Sequence, residues 1–380
     1  MLFTNALVFF AERGFAPASF RVEGGVFAEF LPPDTSEPGA IELGGARVIP
    51  GLIDLHTHGN SGADFSDGED APLRTMAAFL ARNGVTGFAP TSMTLPYAQL
   101  KRAFTSARRL HEEAPEGLSR VLGIHMEGPF FSEKKRGAQN AAYLKEPDLD
   151  AFLELYEDCG GLIRIVDLAP ELPGAAAFAR EASKRCTVSA AHTDADYAQA
   201  AAFFDVGARH VTHLYNAMTP LHHREPGVIG AAAERDDVFA ELICDGLHVH
   251  PSAVRLAFRL FPERICLISD ALRCCGMPDG TYTLGGQAVT LSGGEARLSD
   301  GTLAGSAVTL YDCLRRAIAF GIPADTAIRA ATLNPARQLG CADRFGSIAP
   351  GKAADFLVCD ENLNIQDVCL GGESLDIKGT

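Results

Sequence analysis

No uninterrupted apolar run in this 380-residue chain approaches the roughly 20 residues that a helix needs to cross a bilayer, so no membrane span is expected. No basic cluster is longer than Lys134-Lys135-Arg136 and the net charge is −15, which argues against nucleic acid as a partner. The same charge means that an anionic ligand needs a local cation to overcome the field of the whole chain. The ten cysteines include no C-x-x-C pair, and most sit inside apolar runs such as Leu242-Ile243-Cys244 and Ile265-Cys266-Leu267. They read as buried reduced thiols, and the neighbours Cys274-Cys275 as loop packing rather than a redox or metal pair. There is no internal repeat, low-complexity tract or Pro/Ser linker. Residues 1–10 are apolar but lack a basic leading region and a small-residue cleavage site, so they read as a first strand and not as a signal peptide. With 47% hydrophobic and 21% charged residues, a globular cytoplasmic protein is expected.

What the chain does contain, from about residue 50 to 340, is a regular alternation of short β-branched runs with Ala-rich amphipathic stretches, the pattern of repeated βα units. Eight strands are expected to end near His58, Ser92, Glu127, Ala169, His192, His213, His248 and Asp270. Helical periodicity covers 73–83, 97–113, 149–159, 175–185, 197–206 and 252–261. The expected fold is α/β, a (β/α)8 TIM-like barrel over 49–344. Segments 1–48 and 345–380 are rich in Gly, Pro and alternating apolar residues. They are expected to form one small discontinuous β-sandwich domain from both chain ends, while 281–305 reads as β-hairpins after the eighth strand.

The stretch Ile53-Asp54-Leu55-His56-Thr57-His58-Gly59 places two imidazoles on alternate residues of an apolar run, hence on one face of a strand. Glu127, His192, His213 and Asp270 also fall at predicted strand C-termini. One such histidine is ordinarily a satisfied core residue; several at the ends of one barrel's strands converge on a common cavity. Imidazoles and a carboxylate can hold a divalent ion with a position open for water, whose pKa falls from about 15.7 toward roughly 7 on zinc. A separate carboxylate must then shuttle the proton to a leaving amine, a role that suits Asp270 in Ser269-Asp270-Ala271.

These residues lie in longer motifs: PGLIDLHTHG at 50–59, HMEGPF at 125–130, AAHT at 190–193, THLYNAMTP at 212–220, REPG at 224–227, DGLHV at 245–249, SDA at 269–271 and GMPDGTYTLGG at 276–286. In them the chain resembles the amidohydrolase superfamily and, more narrowly, the N-acetylglucosamine-6-phosphate deacetylases, over nearly the whole barrel and both flanks. The resemblance implies hydrolysis of an acetamido group to glucosamine 6-phosphate and acetate. It further implies a main divalent metal on Glu127, His192 and His213, and a second one on His56 and His58 with Glu127 as a bridge. That gives one or two ions per chain, zinc foremost, with iron, manganese or cobalt as other candidates. The fourth strand, Ile163-Arg164-Ile165-Val166-Asp167-Leu168, offers no lysine for a carbamate bridge.

For the substrate, an amino-sugar phosphate, the resemblance implies phosphate binding by Arg224, donated across a homodimer interface, and by backbone at Asn216 and Ala217. It implies a His248 contact to the sugar or the amide carbonyl, and pocket positions at Ala138, Gln139, Leu303, Ala304 and Gly305. Arginine suits the phosphate because its planar fork pairs bidentately. His222 and His223 read as solvated loop residues, and His111, His125, His210 and His250 as helix surface, strand core or support behind the ligands. Gln139 stands where many relatives place a sugar-contacting histidine, which leaves N-acetylgalactosamine 6-phosphate open as the substrate. Two other readings stand beside this one, a cyclic amide or amine hydrolase and a catalytically dead barrel kept as a binding protein.

Overall fold

The computed structural model describes residues 1–377; Lys378, Gly379 and Thr380, the end of the expected second segment of the small domain, lie outside the described residues. Eight parallel strands follow one another in chain order: β1 (Leu52–Thr57), β2 (Val85–Pro90), β3 (Ile124–Phe130), β4 (Ile163–Leu168), β5 (Thr187–Ala190), β6 (His210–Val211), β7 (Phe239–Ile243) and β8 (Ile265–Ile268). β3 to β8 form one continuous run, and β1 pairs with β2. The seam between β2 and β3 is joined below by Arg120–Val121 lying along β2 and above by a Thr91–His125 bridge. The seam between β8 and β1 is joined by a Thr57–Ala271 bridge and by the Asp270 N–H donating to His56 O at 2.9 Å, which completes the ring.

Between the strands run α1 (Asp70–Arg82), α2 (Tyr97–Glu113), α3 (Leu149–Asp158), α4 (Ala175–Ala182), α5 (Tyr197–Asp205), α6 (Gly227–Ala233) and α7 (Pro251–Leu260). Their apolar stripes bury Leu73, Met76, Leu100, Phe104, Phe152, Phe178, Phe203 and Phe204 against the outside of the ring, as the 3.6-residue period demands. Helix α6 stands where the sequence shows no helical period and starts at Gly227, the last residue of the REPG motif. The interior is plugged by Ile53, Leu55, Ile165, Ile243, Cys266 and Ile268, which pack with Ala336 and Leu339. The expected strand end at His248 lies beyond β7, which stops at Ile243. There Asp245 Oδ1 accepts the N–H groups of Leu247 and His248, both at 2.9 Å, and Gly246 adopts φ +81°, so the chain turns before it can continue the strand.

Residues from both ends build a separate eight-stranded sheet, in which Leu2–Phe10 pairs with Arg47–Pro50, and the latter with Phe356–Cys359. Its first edge, Val26–Leu31, curls back to meet 351–354 through Phe27 N–H to Lys352 O (2.9 Å) and Gly351 N–H to Phe27 O (2.8 Å). Two halves of one sheet thus face each other across Phe3, Phe20, Phe27 and Phe356, with ring centroids 5.0–5.9 Å apart. The segment 281–305 is a four-stranded antiparallel sheet, as expected. All ten cysteines are free, eight of them buried, and burial pushes the Cys274 thiol up to about 11. No helix among the described residues is long and apolar enough to cross a membrane.

Candidate metal centre

At the C-terminal mouth of the ring His56 lies on β1 and Glu127 on β3, which runs past the expected end to Phe130, whereas β5, β6 and β8 stop just short of the polar residues singled out in the sequence. His192 follows β5 by two residues, His213 follows β6 by two, and Asp270 follows β8 by two. All three have positive φ (+45°, +32° and +49°), a region few non-glycine residues occupy, and one that turns each side chain out of the strand's own alternation. On β1, a pairing irregularity between Asp54 and Thr57 re-aims His56 and His58, whose Nε2 atoms lie 3.3 Å apart. Gly59 follows because a Cβ there would sit 2.3 Å from Ala63 O and 2.8 Å from the Arg273 backbone nitrogen.

The outcome is a tight polygon of donors. Glu127 Oε1 lies 3.2 Å from His192 Nε2 and 3.2 Å from His213 Nε2, and those two nitrogens are 3.2 Å apart. Neighbouring donors on a tetrahedral ion with bonds of about 2.0–2.1 Å are separated by roughly 3.3 Å, so the triangle fits a divalent metal without rearrangement. A second group adjoins it: His58 Nε2 is 3.2 Å from Asp270 Oδ1 and 3.5 Å from Glu127 Oε2, and His56 Nε2 is 3.7 Å from Glu127 Oε1.

At His192 and His58 the far side of the ring fixes which nitrogen faces the cavity. His192 Nδ1 donates to Lys135 O (2.9 Å) and His58 Nδ1 to Thr91 O (3.1 Å); a carbonyl only accepts, so Nε2 is left for the centre. Burial opposes a charge on His213 and His58. It is outweighed at His213 by the hydrogen bond to Glu127 and at His58 by that to Asp270, and both rise to about 9. Burial also opposes the charge on Glu127, whose carboxyl is nevertheless held well below the usual range by the hydrogen bonds of His192 and His213. The cavity therefore draws positive charge to this spot, which a bound cation satisfies while displacing the protons.

Behind the donors lies a buried layer that the sequence reading did not pick out. Glu241 Oε2 accepts the His213 backbone N–H at 3.1 Å and lies 2.8 Å from His56 Nδ1, so one carboxylate oxygen supports a member of each group. Burial pushes the Glu241 carboxyl up to about 8. The available signal was a lone acid inside the apolar run Phe239-Ala240-Glu241-Leu242-Ile243. His125 gives Nδ1 to Leu55 O (2.9 Å) and Nε2 to Asp167 (2.9 Å), which leaves it no lone pair for a metal and places it in support, as expected. His210, bonded to Ser189 Oγ at 3.1 Å, extends the same layer. His111 bonds Val121 O and His250 caps α7.

Glu127, His192, His213, His58 and Asp270 open onto a cavity of about 230 Å³, with His56 fully buried behind them. Ala138, Gln139, Asn216, Ala217 and His248 form its walls, closed by Leu303, Ala304 and Gly305 from the hairpin segment. His248 Nδ1 is taken by Asp245 Oδ2 at 2.6 Å, which leaves Nε2 for a ligand. Gln139 is in the wall, but its amide is bonded to Thr94 and Glu127. Arg224 is not a lining residue: it is exposed, with Nη1 2.7 Å from His223 Nε2, and the neighbouring Leu221 is 43% exposed.

The amidohydrolase family model matches residues 47–375. The N-acetylglucosamine-6-phosphate deacetylase of Bacillus subtilis (strain 168) is 41% identical over 330 residues, 85% of this chain and 83% of its own. The N-acetylgalactosamine-6-phosphate deacetylase of Escherichia coli O157:H7 is 36% identical over 355 residues, 93% of each. A solved structure of a mutant N-acetyl-D-glucosamine-6-phosphate deacetylase from Mycobacterium smegmatis, in complex with N-acetyl-D-glucosamine-6-phosphate, superposes with a TM-score of 0.92 at 32% identity over 99% of both chains.

Proposed function

The chain belongs to the amidohydrolase family, and from that premise we propose that it hydrolyses the acetamido group of N-acetylglucosamine 6-phosphate to glucosamine 6-phosphate and acetate. The observation that carries this reading is the convergence of Glu127, His192, His213 and Asp270 on one cavity that Gln139, Asn216 and His248 also line. Glu127, His192 and His213 hold one divalent ion, and His56 and His58 hold a second. Zinc is the ion proposed, because the donors are nitrogen and oxygen at tetrahedral spacing. When bound, the ion supplies Lewis acidity that polarises the amide and makes water nucleophilic near neutral pH.

The chain's own groups do the rest. With Asp270 Oδ1 facing His58 and His56, Oδ2 is the atom free to take a proton from water. As the water oxygen bonds to the acyl carbon, Asp270 gains that proton, then returns it to the nitrogen while the C–N bond breaks. His248, with Nδ1–H held by Asp245, donates Nε2–H to the amide oxygen when its ring carries both protons and so stabilises the charge that develops there.

Arg224 binds the 6-phosphate of a partner subunit's substrate in a homodimer. Support comes from its exposure, its absence from its own chain's cavity wall and the exposed Leu221 beside it. A cytoplasmic location accords with ten free, mostly buried thiols. The test is acetate release from N-acetylated glucosamine, galactosamine and mannosamine 6-phosphates after chelation and metal add-back. Metal-dependent turnover fastest on the glucosamine substrate is expected. Preference for the galactosamine substrate would reassign the sugar, and no turnover on any of them would refute the reading.

A further inference from the structure

Gln139 is 3% exposed, and both ends of its amide are bonded to the protein. Its Oε1 accepts the Thr94 backbone N–H at 2.8 Å, and its Nε2 donates to Glu127 Oε2 at 2.6 Å. A peptide N–H only donates, so the amide oxygen must face Thr94 and the NH2 group must face Glu127; the reverse orientation would set donor against donor. The other N–H points toward Met93 Sδ, 4.0 Å away, a weak acceptor. Both polar ends of Gln139 are therefore engaged by the protein, Oε1 by Thr94 and Nε2 by Glu127.

The two oxygens of Glu127 have different neighbours. Oε1 faces the His192–His213 pair at 3.2 Å, whereas Oε2 faces His58 at 3.5 Å and receives the Gln139 amide. The terminal torsion of a glutamate is soft and nearly two-fold, so packing alone does not decide which oxygen points where. One directed N–H from an amide that is itself anchored on backbone does decide it.

We infer that Gln139 is a positioning residue for Glu127. It fixes the carboxylate so that Oε1 serves the His192–His213 pair, and it occupies one lone pair of Oε2, the oxygen nearer His58. Gln139 thereby sets how Glu127 is shared between the two donor groups. This inference rests on the metal-centre reading above and moves Gln139 from the sugar to the carboxylate.

Gln139→Met keeps the length and removes both bonds. Binding of Zn²⁺ to metal-free protein, measured by competition with a chromogenic chelator, is expected to weaken roughly 10–100-fold, the range for losing a group that orients a metal ligand. Losing these bonds strands the Thr94 N–H, so the thermal midpoint of the metal-free protein should fall, and fall further in Gln139→Ala, which also loses packing; KM for the sugar phosphate at saturating Zn²⁺ should change less than about threefold, since only uniform substrate binding moves KM alone. An unchanged Zn²⁺ Kd overturns the inference whatever happens to KM. Equal Zn²⁺ Kd in Gln139→Met and Gln139→Ala is expected because both lose the same bonds; a Kd that weakens further in Gln139→Ala, in step with the midpoint, overturns the inference by making Gln139 a packing residue. Gln139→Ala, which cannot overpack, still reads the Zn²⁺ Kd should the Met variant not fold. Wild-type protein that binds no Zn²⁺ would refute the metal-centre reading itself, which separates the two failures.

Discussion

Replacing Asp270 by asparagine removes a proton acceptor while keeping nearly everything else, which makes it the sharpest test of the proposed chemistry. The backbone at 270 sits at φ +49°, and asparagine tolerates that left-handed conformation about as well as aspartate does. The residue is anchored through its main chain, its N–H donating to His56 O at 2.9 Å and its carbonyl accepting from Ser306 N at 2.8 Å, and an amide side chain disturbs neither bond. What is lost is the carboxylate that takes and returns the proton. Positioned acid–base catalysis contributes roughly 10²–10⁴-fold, so the barrier should rise by about 3–5 kcal/mol at 1.36 kcal/mol per factor of ten. Acetate release under saturating substrate and Zn²⁺ measures kcat, and elemental analysis of the same sample measures bound metal. The expected result is kcat down by two to four orders of magnitude with the metal content of wild type. Because Asp270 Oδ1 lies 3.2 Å from His58 Nε2 and 3.6 Å from His56 Nε2, the opposing result is specific too. If one equivalent of metal disappears along with the activity, Asp270 is a ligand, and another group must carry the proton.

Arg224→Ala should raise KM for the 6-phosphate substrate roughly 10–150-fold, matching the 1.5–3 kcal/mol of a charged hydrogen bond, and leave the unphosphorylated sugar nearly unaffected. Equal effects on both substrates would remove Arg224 from phosphate binding. Glu241→Ala strands the His56 ring and the His213 N–H inside the barrel, two buried groups at about 1–3 kcal/mol each, so urea unfolding of the metal-free protein should show a loss of about 2–6 kcal/mol. Glu241→Gln, which keeps an acceptor oxygen, should recover much of that loss; an alanine variant within 1 kcal/mol of wild type would show that the carboxylate supports neither group.

The parts of this site that could be read from the sequence are those in which chemistry and periodicity coincide. His58, His192, His213 and Asp270 follow the ends of apolar strands, His56 and Glu127 lie within theirs, and a barrel gathers the ends of its strands whatever the loops between them do. Glu241, Asp54 and Asp167 escaped because they lie inside the runs, where an acid ordinarily argues against a buried strand. What makes them tolerable is a partner far away in the chain, such as His56 for Glu241, 185 positions distant. Motif position alone places Gln139 at the cavity, and its partner Thr94, 45 residues upstream, carries no local signal of that contact.

The strand ends show the same limit at the level of the backbone. Alternation predicts where a strand points its side chains only while the chain remains extended, and three of the proposed functional residues lie one step past that regime. His192, His213 and Asp270 each adopt positive φ two residues beyond the last strand residue, without the glycine that would have announced it. That turn is imposed by hydrogen bonds from neighbouring strands. The His213 N–H goes to Glu241 on β7, and the Asp270 N–H goes to the His56 carbonyl on β1. The strained conformation at Asp270 is therefore a property of the closed ring. Opening the ring at the Thr57–Ala271 seam should relax it and part Asp270 from His56 and His58, even with every ligand residue still present in the chain.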